Sequence, residues 1–295
     1  MPKVSVILPC YNVSPYIDKC MHSLLHQTLK DVEFIFVDDC STDDTYQQIA
    51  KYTDSRIKLI HHEQNRYTAE AKNTGLANAT GEYISFIDPD DYVSLNFLET
   101  LYNLAKKNDA DIAKGIYKTI PTNKISNNNK AIQKNKYNFH FAMWTAIYRK
   151  KLIDDHNIRF SVDTICGQFP MVHFANKIVT CNTAIYYYVK HKNSCVNCVF
   201  SVDKWRKLNI CGINVLFNYL NNFDITKQNY CLISKTLILN LYQYGYDRMS
   251  KEDKIKYKDE LKQYLMEYPE KNKYIKEPDV YNKYLEVLKK YNFTV

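Results

Sequence analysis

The chain has 295 residues, of which 45% are hydrophobic and 24% charged, with only 6 Gly and 8 Pro. This composition excludes a disordered or collagen-like protein, and the length supports one large domain or two smaller ones. The charge is uneven, because residues 1–113 carry 10 basic and 17 acidic side chains whereas residues 114–160 carry 10 and 2. An acidic front half joined to a basic back half predicts two separate tasks.

Neither a membrane span nor a disulfide framework is predicted. No apolar run approaches the roughly 20 residues that a transmembrane helix requires, and Pro9 interrupts the start of the chain too early for a signal peptide. The nine cysteines are scattered and odd in number, which favours free thiols and a cytoplasmic location. Cys195 and Cys198 form a lone CxxC, which we interpret as two thiols in a loop rather than a zinc or redox site.

Strands and helices alternate along the first 120 residues. Short β-branched and aromatic runs predict strands at 3–8, 32–37, 57–60, 83–87 and 112–116. Helical spacing of apolar residues predicts four intervening helices. The first two have their N-caps at Ser14 and Asp43, and the other two cover 69–79 and 95–105. This alternation is typical of an α/β protein with an open, mostly parallel sheet and helices on both faces.

The second half of the chain is less regular. Residues 121–138 are rich in Asn and Lys and predict an exposed loop. Beyond residue 200, apolar residues recur at helical spacing among many Tyr and Lys side chains. We therefore place an α/β domain in residues 1–200 and a helical region in residues 201–295.

Polar clusters follow three of the predicted strands. They are Pro9-Cys10-Tyr11-Asn12, Asp38-Asp39-Cys40-Ser41 and Asp88-Pro89-Asp90-Asp91. In an open α/β sheet, ligands bind beyond the carboxyl ends of the strands, so the clusters predict a site at one edge. The sequence contains neither the GxGxxG fingerprint nor a P-loop, which leaves the acidic residues as the strongest signal.

The acidic clusters favour a divalent cation. Three carboxylates in Asp88-Pro89-Asp90-Asp91 suit Mg²⁺ or Mn²⁺ shared with a phosphate, although they could equally cap the next helix. Asp38 and Asp39 favour the cation site over the helix cap, because unpaired carboxylates at two strand ends repel each other unless a cation or another ligand is bound. Asp39 could instead accept hydrogen bonds from a base or ribose, or cap a helix.

Three blocks of sequence carry a resemblance to a known family: VSVILPCYNVSPYIDKCMHSLLHQT, EFIFVDDCSTDDT and AEAKNTGLANATGEYISFIDPDDYV. In this order they resemble the family 2 inverting glycosyltransferases of GT-A fold, and within that family the bacterial enzymes that build surface polysaccharide and lipooligosaccharide. The resemblance covers about the first 120 residues. It implies a Rossmann-like GT-A domain with a donor half at 1–117 and an acceptor half at 118–200.

The resemblance also implies a set of contacts to a nucleotide-sugar, with a UDP-sugar expected: Pro9, Tyr11, Asn12, Asp39, Lys72, Asn73, Asp88 and Asp90. Asp88 and Asp90 match the DxD pair, which together with Asp91 would hold the ribose and a Mn²⁺ or Mg²⁺ ion on the diphosphate. Such an ion stabilises the departing nucleoside diphosphate. A hydroxyl of a glycan or lipid-linked acceptor then attacks the anomeric carbon and inverts it.

The general base is where the chain departs from the family, which usually has an acidic pair just before a helix. The matching positions are Asp163 and Thr164, and a threonine cannot act as a base at neutral pH. Asp163 is therefore the expected base, and Asp154-Asp155 is the fallback. A sugar-nucleotide-binding protein with impaired catalysis remains the second hypothesis.

Two smaller departures from the family pattern concern the substrates. Ala146 stands where Lys is common, and Asn65-Arg66-Tyr67 stands where a Gly is usual. We expect both to change how the donor or acceptor fits rather than the fold.

The basic residues 114–160 and the Lys- and Tyr-rich tail allow two interpretations. A solvated helical face is preferred, and contact with an anionic membrane that presents a lipid-linked acceptor is the alternative, with peripheral attachment at the inner face of the membrane. Basic patches with aromatic residues also occur in nucleic-acid-binding proteins. We expect no nucleic acid, because no recognition motif is present and the acidic strand ends oppose it. The oligomeric state is left open.

Overall fold

The computed structural model of the chain describes residues 1–127, 129–138, 142–161, 164–191, 201–206, 210–234, 243 and 246–293. The chain divides into two compact units, Met1–Lys190 and His191–Val295. Residues 192–200 lie outside the described residues, and they include the CxxC of Cys195 and Cys198. The boundary predicted after residue 200 is at the end of this range.

Among the described residues, nine strands form one sheet in the first unit: β1 (Val4–Cys10), β2 (Val32–Asp38), β3 (Ile57–His61), β4 (Tyr83–Phe86), β5 (Tyr92–Val93), β6 (Ile112–Ile120), β7 (Lys124–Ser126), β8 (Ala146–Arg149) and β9 (Ile178–Val189). Their order is β3-β2-β1-β4-β8-β6-β9-β5, and β7 pairs with β6. The first four strands are mutually parallel, as predicted. Beyond β4 the sheet is mixed, because β8 runs antiparallel to both of its neighbours.

Helices cover both faces of this sheet, which confirms the α/β prediction. In the described part of this unit they are α1 (Ile17–Leu25), α2 (Thr45–Ala50), α3 (Tyr67–Asn78), α4 (Phe97–Asn108), α5 (Asn129–Lys134), α6 (Lys150–Asp155) and α7 (Thr164–Phe174). Alternate residues of a strand point to opposite faces, so Val6 packs with α1 and α4 while Ile7 packs with α3 and α7. The result is two separate cores, one on each side of the sheet.

Two local predictions about the first strand and helix are wrong. Pro9 does not end β1, which continues to Cys10. The strand pairs with β4 only as far as Ile7. At Pro9 the side of β1 that faces β4 has no partner strand, so the missing N–H of the proline removes no hydrogen bond between strands. Ser14 is not the N-cap of α1 either, since the helix begins at Ile17 and no side chain caps it.

The loop predicted over 121–138 is also wrong in part. It contains the strand β7 and the helix α5. Ile132 of α5 is 3% exposed and packs into the core on the α3 side of the sheet. One buried apolar side chain in a polar segment therefore ties this stretch to the domain.

The second unit is helical, as predicted. Its described helices are α8 (Val202–Trp205), α9 (Cys211–Asn222), α10 (Lys227–Ile233), α11 (Lys251–Lys256), α12 (Lys258–Lys271) and α13 (Pro278–Lys290). Tyr268 and Tyr284 are buried and stack at 5.5 Å, and the nearby Tyr230 is buried as well, so part of the tyrosine content belongs to a core. None of the helices in the described ranges is both long and apolar enough to cross a membrane.

Candidate functional site

The three polar clusters lie at one edge of the sheet. β1 is the neighbour of both β2 and β4, and all three strands are parallel. Cys10 is in register with Asp38 at the end of β2, and Ile7 is in register with Phe86 at the end of β4. The residues that follow these strands therefore surround a common space, where ligands of such sheets bind.

Backbone strain is concentrated at the same edge. Cys40 follows β2 with φ 61°, and Tyr67 opens α3 with φ 69°. Every other described non-glycine residue with positive φ is Asn or Asp, residue types that tolerate this conformation. The left-handed backbone at Tyr67 explains why a glycine is usual in this segment. Strain of this kind is typical of functional sites.

The loops after β1 and β2 are joined by Asn12, which itself has φ 52°. Its Oδ1 accepts a hydrogen bond of 2.8 Å from the N–H of Thr42, and its own N–H donates to Ser41 Oγ at 3.1 Å. The ring of Tyr11 is 48% exposed beside it, and Pro9 is partly buried. Asn12 thus holds the two loops together, whereas Tyr11 presents a free aromatic surface at the edge.

Asp39 is buried at the edge and held by two donors. Its Oδ1 accepts from His62 Nδ1 at 2.7 Å and from the backbone N–H of Arg66 at 2.8 Å. His62 Nε2 lies 2.9 Å from Thr74 Oγ1 of α3. The side chain of His61 is 46% exposed and that of His62 is 7% exposed, so these adjacent residues face the solvent and the core, respectively.

The neighbouring aspartate forms a parallel pair on the opposite face. Asp38 Oδ2 accepts from His61 Nδ1 at 2.8 Å and from the N–H of Ser41 at 3.3 Å. The ring of His61 contacts Tyr46 of α2 at 5.3 Å. Asp38 is completely buried and belongs to the α2 side of the sheet.

The turn from Asp88 to Asp91 is fastened to β9. The N–H of Asp91 donates to the carbonyl of Asp88 at 3.0 Å, and the N–H of Asp88 donates to the hydroxyl of Tyr186 at 3.2 Å. That hydroxyl donates to Asp91 Oδ2 at 2.7 Å, and the N–H of Val189 donates to Oδ1 at 2.7 Å. Both oxygens of Asp91 are therefore engaged by β9, which favours a structural role over the metal ligation expected from the sequence.

The carboxylate of Asp88 interacts with a buried cation, Lys72. Burial, opposed by Lys72 and reinforced by Asp90, raises the pKa of Asp88 to about 6. Lys72 is 3% exposed, and its Nζ lies 3.9 Å from Met143 Sδ and 5.5 Å from the centre of the Phe160 ring. The ammonium group therefore favours the ionised form of Asp88.

Asn73 has a different role from its neighbour Lys72. Its Nδ2 donates to the carbonyl of Phe160 at 2.8 Å, and its Oδ1 accepts from the N–H of Phe160 at 2.9 Å. The amide thus anchors the segment before α7 to α3. The nucleotide contact of Asn73 stays a prediction beside this observed anchoring role.

The predicted base cannot be placed, because Asp163 lies outside the described residues. Thr164 is the first residue of α7. The fallback residues lie on α6, where Asp154 pairs with Lys150 at 2.6 Å and Asp155 pairs with Lys151 at 2.8 Å. These are surface ion pairs one helical turn apart, which agrees with a solvated surface rather than a catalytic position.

The edge offers two carboxylates to a metal ion. Among the described residues, no three His, Cys, Asp or Glu side chains are arranged to hold one. Asp88 and Asp90 are partly exposed, whereas Asp91 is 2% exposed and engaged. A pair of carboxylates suits Mg²⁺ or Mn²⁺, which keep several water or phosphate oxygens in their shell. The residues present therefore fit a cation that is shared with a diphosphate.

Sequence comparisons agree with this architecture. The model of the family described as glycosyl transferase family 2 matches residues 5–173. The chain is 33% identical over 220 residues to the uncharacterized glycosyltransferase EpsJ of Bacillus subtilis, covering 66% of this chain and 63% of EpsJ. It is 38% identical over 135 residues to Escherichia coli WfgD, covering 46% and 53%, respectively; WfgD is named a UDP-Glc:alpha-D-GlcNAc-diphosphoundecaprenol beta-1,3-glucosyltransferase. In both cases the match spans less than two thirds of the relative.

Comparisons with solved structures give the same fold. Residues 1–349 of Staphylococcus aureus TarS, in complex with UDP-GlcNAc, align with a TM-score of 0.77 and 20% identity, covering 98% of this chain and 91% of that one. The mannosyltransferase PcManGT of Pyrobaculum calidifontis, in complex with GDP-Man and Mn²⁺, aligns with a TM-score of 0.59 and 16% identity, covering 99% and 82%. At these identities the likeness establishes the fold, and it confirms the predicted GT-A architecture.

Proposed function

The chain belongs to glycosyl transferase family 2, and we propose that it is a metal-dependent inverting glycosyltransferase. It would move a sugar from a UDP-sugar to a hydroxyl of a glycan or lipid-linked acceptor. The observation that carries this proposal is the meeting of Asp39, Lys72, Asp88 and Asp90 around one edge of the sheet. The UDP-Glc in the name of WfgD and the UDP-GlcNAc bound to TarS support the choice of donor.

In this proposal the donor lies across the ends of β1, β2 and β4. Asp39 faces the base and ribose, Tyr11 lines the entrance, and Asp88 and Asp90 hold Mn²⁺ or Mg²⁺ against the diphosphate. The ion would supply positive charge that stabilises the leaving nucleoside diphosphate. Lys72 opposes the rise that burial causes in the pKa of Asp88, which favours the ionised carboxylate that a cation needs. Asp91 holds the turn in place by accepting hydrogen bonds from Tyr186 and Val189 of β9.

We propose Asp163 as the base that takes the proton of the attacking hydroxyl. It follows Phe160, whose backbone is fixed at both its N–H and its carbonyl by Asn73. A general base must lie within hydrogen-bond distance of the proton that it takes. The acceptor hydroxyl would approach from the side of α7.

The acceptor class is taken from a relative. WfgD is named for an acceptor linked to diphosphoundecaprenol, so we propose a lipid-linked acceptor reached at the inner face of the membrane. Binding to vesicles of anionic phospholipid that weakens as salt rises would support this. Equal binding to neutral and anionic vesicles would contradict it.

The test of the donor site is thermal stabilisation of the purified protein by UDP and UDP-sugars, with and without Mn²⁺. A ligand that binds only the folded state raises the melting temperature. We expect a shift that needs Mn²⁺ and is largest for one UDP-sugar, and Asp90→Asn should remove its Mn²⁺-dependent part. Asp31→Asn, at an exposed ion pair before β2, is the matched control. A folded protein with no shift for any nucleotide would overturn the proposal.

A second candidate is a sugar-nucleotide-binding protein with impaired catalysis. The threonine at 164, where the family usually has an acidic residue, favours it. Release of UDP from the preferred UDP-sugar separates the two candidates. Turnover that Asp163→Asn abolishes supports the transferase, whereas tight binding without turnover in the presence of acceptor extracts supports the binding protein.

A further inference from the structure

We infer that the chain has a second saccharide site, in a cleft between α1 and β5, and that this site takes a sugar carrying an anionic group. The cleft has a volume of about 450 Å³, within the roughly 300–1,000 Å³ that is typical of small-ligand sites. The inference goes beyond the proposed function, because it concerns a site other than the donor edge. Its binding can be measured without a nucleotide.

Two stacked tyrosine rings form one wall of the cleft. Tyr92 of β5 and Tyr187 of β9 are in register, and their rings stack at 4.6 Å with 13° between the planes. Both residues are partly exposed, whereas the next pair in register, Val93 and Tyr186, belongs to the core that α1 and α4 cover. Leu95, which is 49% exposed, adds apolar surface. These groups offer a face on which the C–H side of a sugar ring can pack.

Two side chains of α1 form the opposite wall. Lys19 Nζ lies 3.9 Å from the centre of the Tyr92 ring, an arrangement that holds the ammonium group at the cleft. The ring of His22 stacks on that of His26 at 4.2 Å. Lys19 and His22 are both exposed. No Asp or Glu is among the described residues that line the cleft, so its charge is positive or neutral.

The serines of the cleft already have partners. Ser23 Oγ donates to a backbone carbonyl of α1 at 2.8 Å and accepts from the N–H of Val93 at 3.3 Å. Ser94 Oγ accepts from a backbone N–H of β9 at 3.2 Å. The principal charged group that a ligand meets is therefore the ammonium of Lys19. Because an ammonium group can only donate hydrogen bonds, a carboxylate or a phosphate is its complement.

The surroundings of the cleft favour an acidic glycan as its ligand. Residues 1–113 carry 17 acidic and 10 basic side chains, so a cleft lined by a lysine and a histidine is an exception in this part of the chain. Tyr92 follows Asp91 directly, and the cleft thus begins where the turn that carries Asp88 and Asp90 ends. A glycan longer than its reacting sugar would place an acidic unit here.

The experiment measures the dissociation constants of four small probes by NMR titration of the full chain, without nucleotide or metal. The probes are glucuronate, glucose 6-phosphate, glucose and inorganic phosphate. We expect at least one of the two anionic sugars to bind about tenfold more tightly than both glucose and inorganic phosphate. Comparison of glucuronate with glucose 6-phosphate shows whether the anionic group of the natural ligand is a carboxylate or a phosphate.

Variants of both walls test the assignment. Lys19→Gln should remove the preference for the anionic sugar over glucose, which is about a tenfold loss. Tyr187→Leu should weaken the anionic sugar about threefold, because it removes one aromatic face, whereas Tyr187→Phe should not. Lys3→Gln is the matched control. Lys3 Nζ also lies over a tyrosine ring, that of Tyr102 at 5.5 Å, but away from the cleft, and the variant loses the same single charge.

Three results would overturn the inference. They are equal affinity for glucose and both anionic sugars, equal losses in Lys19→Gln and Lys3→Gln, and binding of inorganic phosphate as tight as that of glucose 6-phosphate. A folded chain that binds no UDP would overturn the proposed function, but these affinities would stand on their own. Should Tyr187→Leu not fold, Lys19→Gln decides the question, since it changes an exposed side chain of α1.

Discussion

Lys114 is a charged residue at a position where the strand pattern calls for an apolar one. It lies in β6, is 1% exposed, and its Nζ donates to the carbonyl of Gly115 at 3.0 Å. Burial lowers the pKa of Lys114 to about 8. In the antiparallel register it stands directly opposite Ala146, the position where the family commonly has a lysine.

We expect Lys114→Met to stabilise the protein at neutral pH. The pKa of this lysine is about 8 in the folded state and about 10.4 in an unfolded chain. Below pH 8 the side chain is protonated in both states and the folded state carries the full desolvation cost, which disappears as the pH rises toward 10.4. Urea unfolding should show a gain of about 2 kcal/mol at pH 7 that shrinks at pH 9.5.

The half-buried Lys118 of the same strand provides the comparison. Lys118→Met has less desolvation to relieve, so its gain at pH 7 should be smaller. A gain for Lys114→Met that stays constant with pH, or a loss of stability at pH 7, would contradict the assignment of the effect to a buried charge.

Single residues of the site could be predicted from the sequence, but their partners could not. The acidic residues stand out because they follow strands, a local feature of the chain. His62 lies 23 residues from Asp39, and Tyr186 lies 95 residues from Asp91. Such contacts depend on the order of strands in the sheet, which the spacing of residues does not contain.

At the scale of elements, the turn between β4 and β5 depends on β9. Tyr186 joins the N–H of Asp88 to the carboxylate of Asp91 through one hydroxyl. Its ring packs on Trp144 at 4.2 Å, which holds the hydroxyl in place. The carboxylates that would face the diphosphate are therefore oriented by a strand from the far half of the domain.

Tyr186→Phe should loosen this turn while it keeps the ring contacts. We expect a loss of about 1–2 kcal/mol of unfolding free energy, because the buried carboxylate of Asp91 loses a donor. The concentration of Mn²⁺ needed for half-maximal UDP binding should rise about fivefold, whereas the affinity for UDP at saturating Mn²⁺ should change less. Urea unfolding and calorimetric titrations at several Mn²⁺ concentrations measure the two effects.

Tyr187→Phe is the matched variant for this test. Tyr187 is the next residue of β9 and its ring stacks on Tyr92 at 4.6 Å, on the opposite side of the strand. It should change neither the stability nor the Mn²⁺ requirement appreciably. Equal effects in the two variants would assign the result to the strand as a whole and would contradict a specific role of the Tyr186 hydroxyl.

Elements with a strong local pattern were predictable, and those made by packing were not. The first four strands of the sheet were identified within a few residues. Three of them, β1, β2 and β4, are buried and consist mostly of apolar residues, as is usual for parallel strands. The two residues of β5 form a strand only because β9 lies beside them. A proline usually ends a strand, but β1 has no β4 partner beyond Ile7, and this is a property of the sheet that the sequence does not reveal.

On the scale of the molecule, the excess of acidic residues in the first part of the chain bears on how an anionic donor could bind. Residues 1–113 contain 17 acidic and 10 basic side chains, yet the proposed donor is itself an anion. At the edge, the buried Lys72 lies near Asp88 and provides a positive charge. In the proposed function, a divalent cation would offset the repulsion between the diphosphate and the nearby carboxylates.

The division into two units leads to the last prediction. The family model matches residues 5–173, and every residue of the two cores around the sheet lies between Val4 and Tyr186. All described residues of the proposed donor site belong to Met1–Lys190. We therefore expect a fragment of residues 1–190 to unfold cooperatively and to bind UDP and Mn²⁺ within about threefold of the full chain, since it retains both cores. Circular dichroism and calorimetry test this directly. A fragment that folds but binds no UDP, while the full chain does, would show that residues beyond 190 complete the donor site.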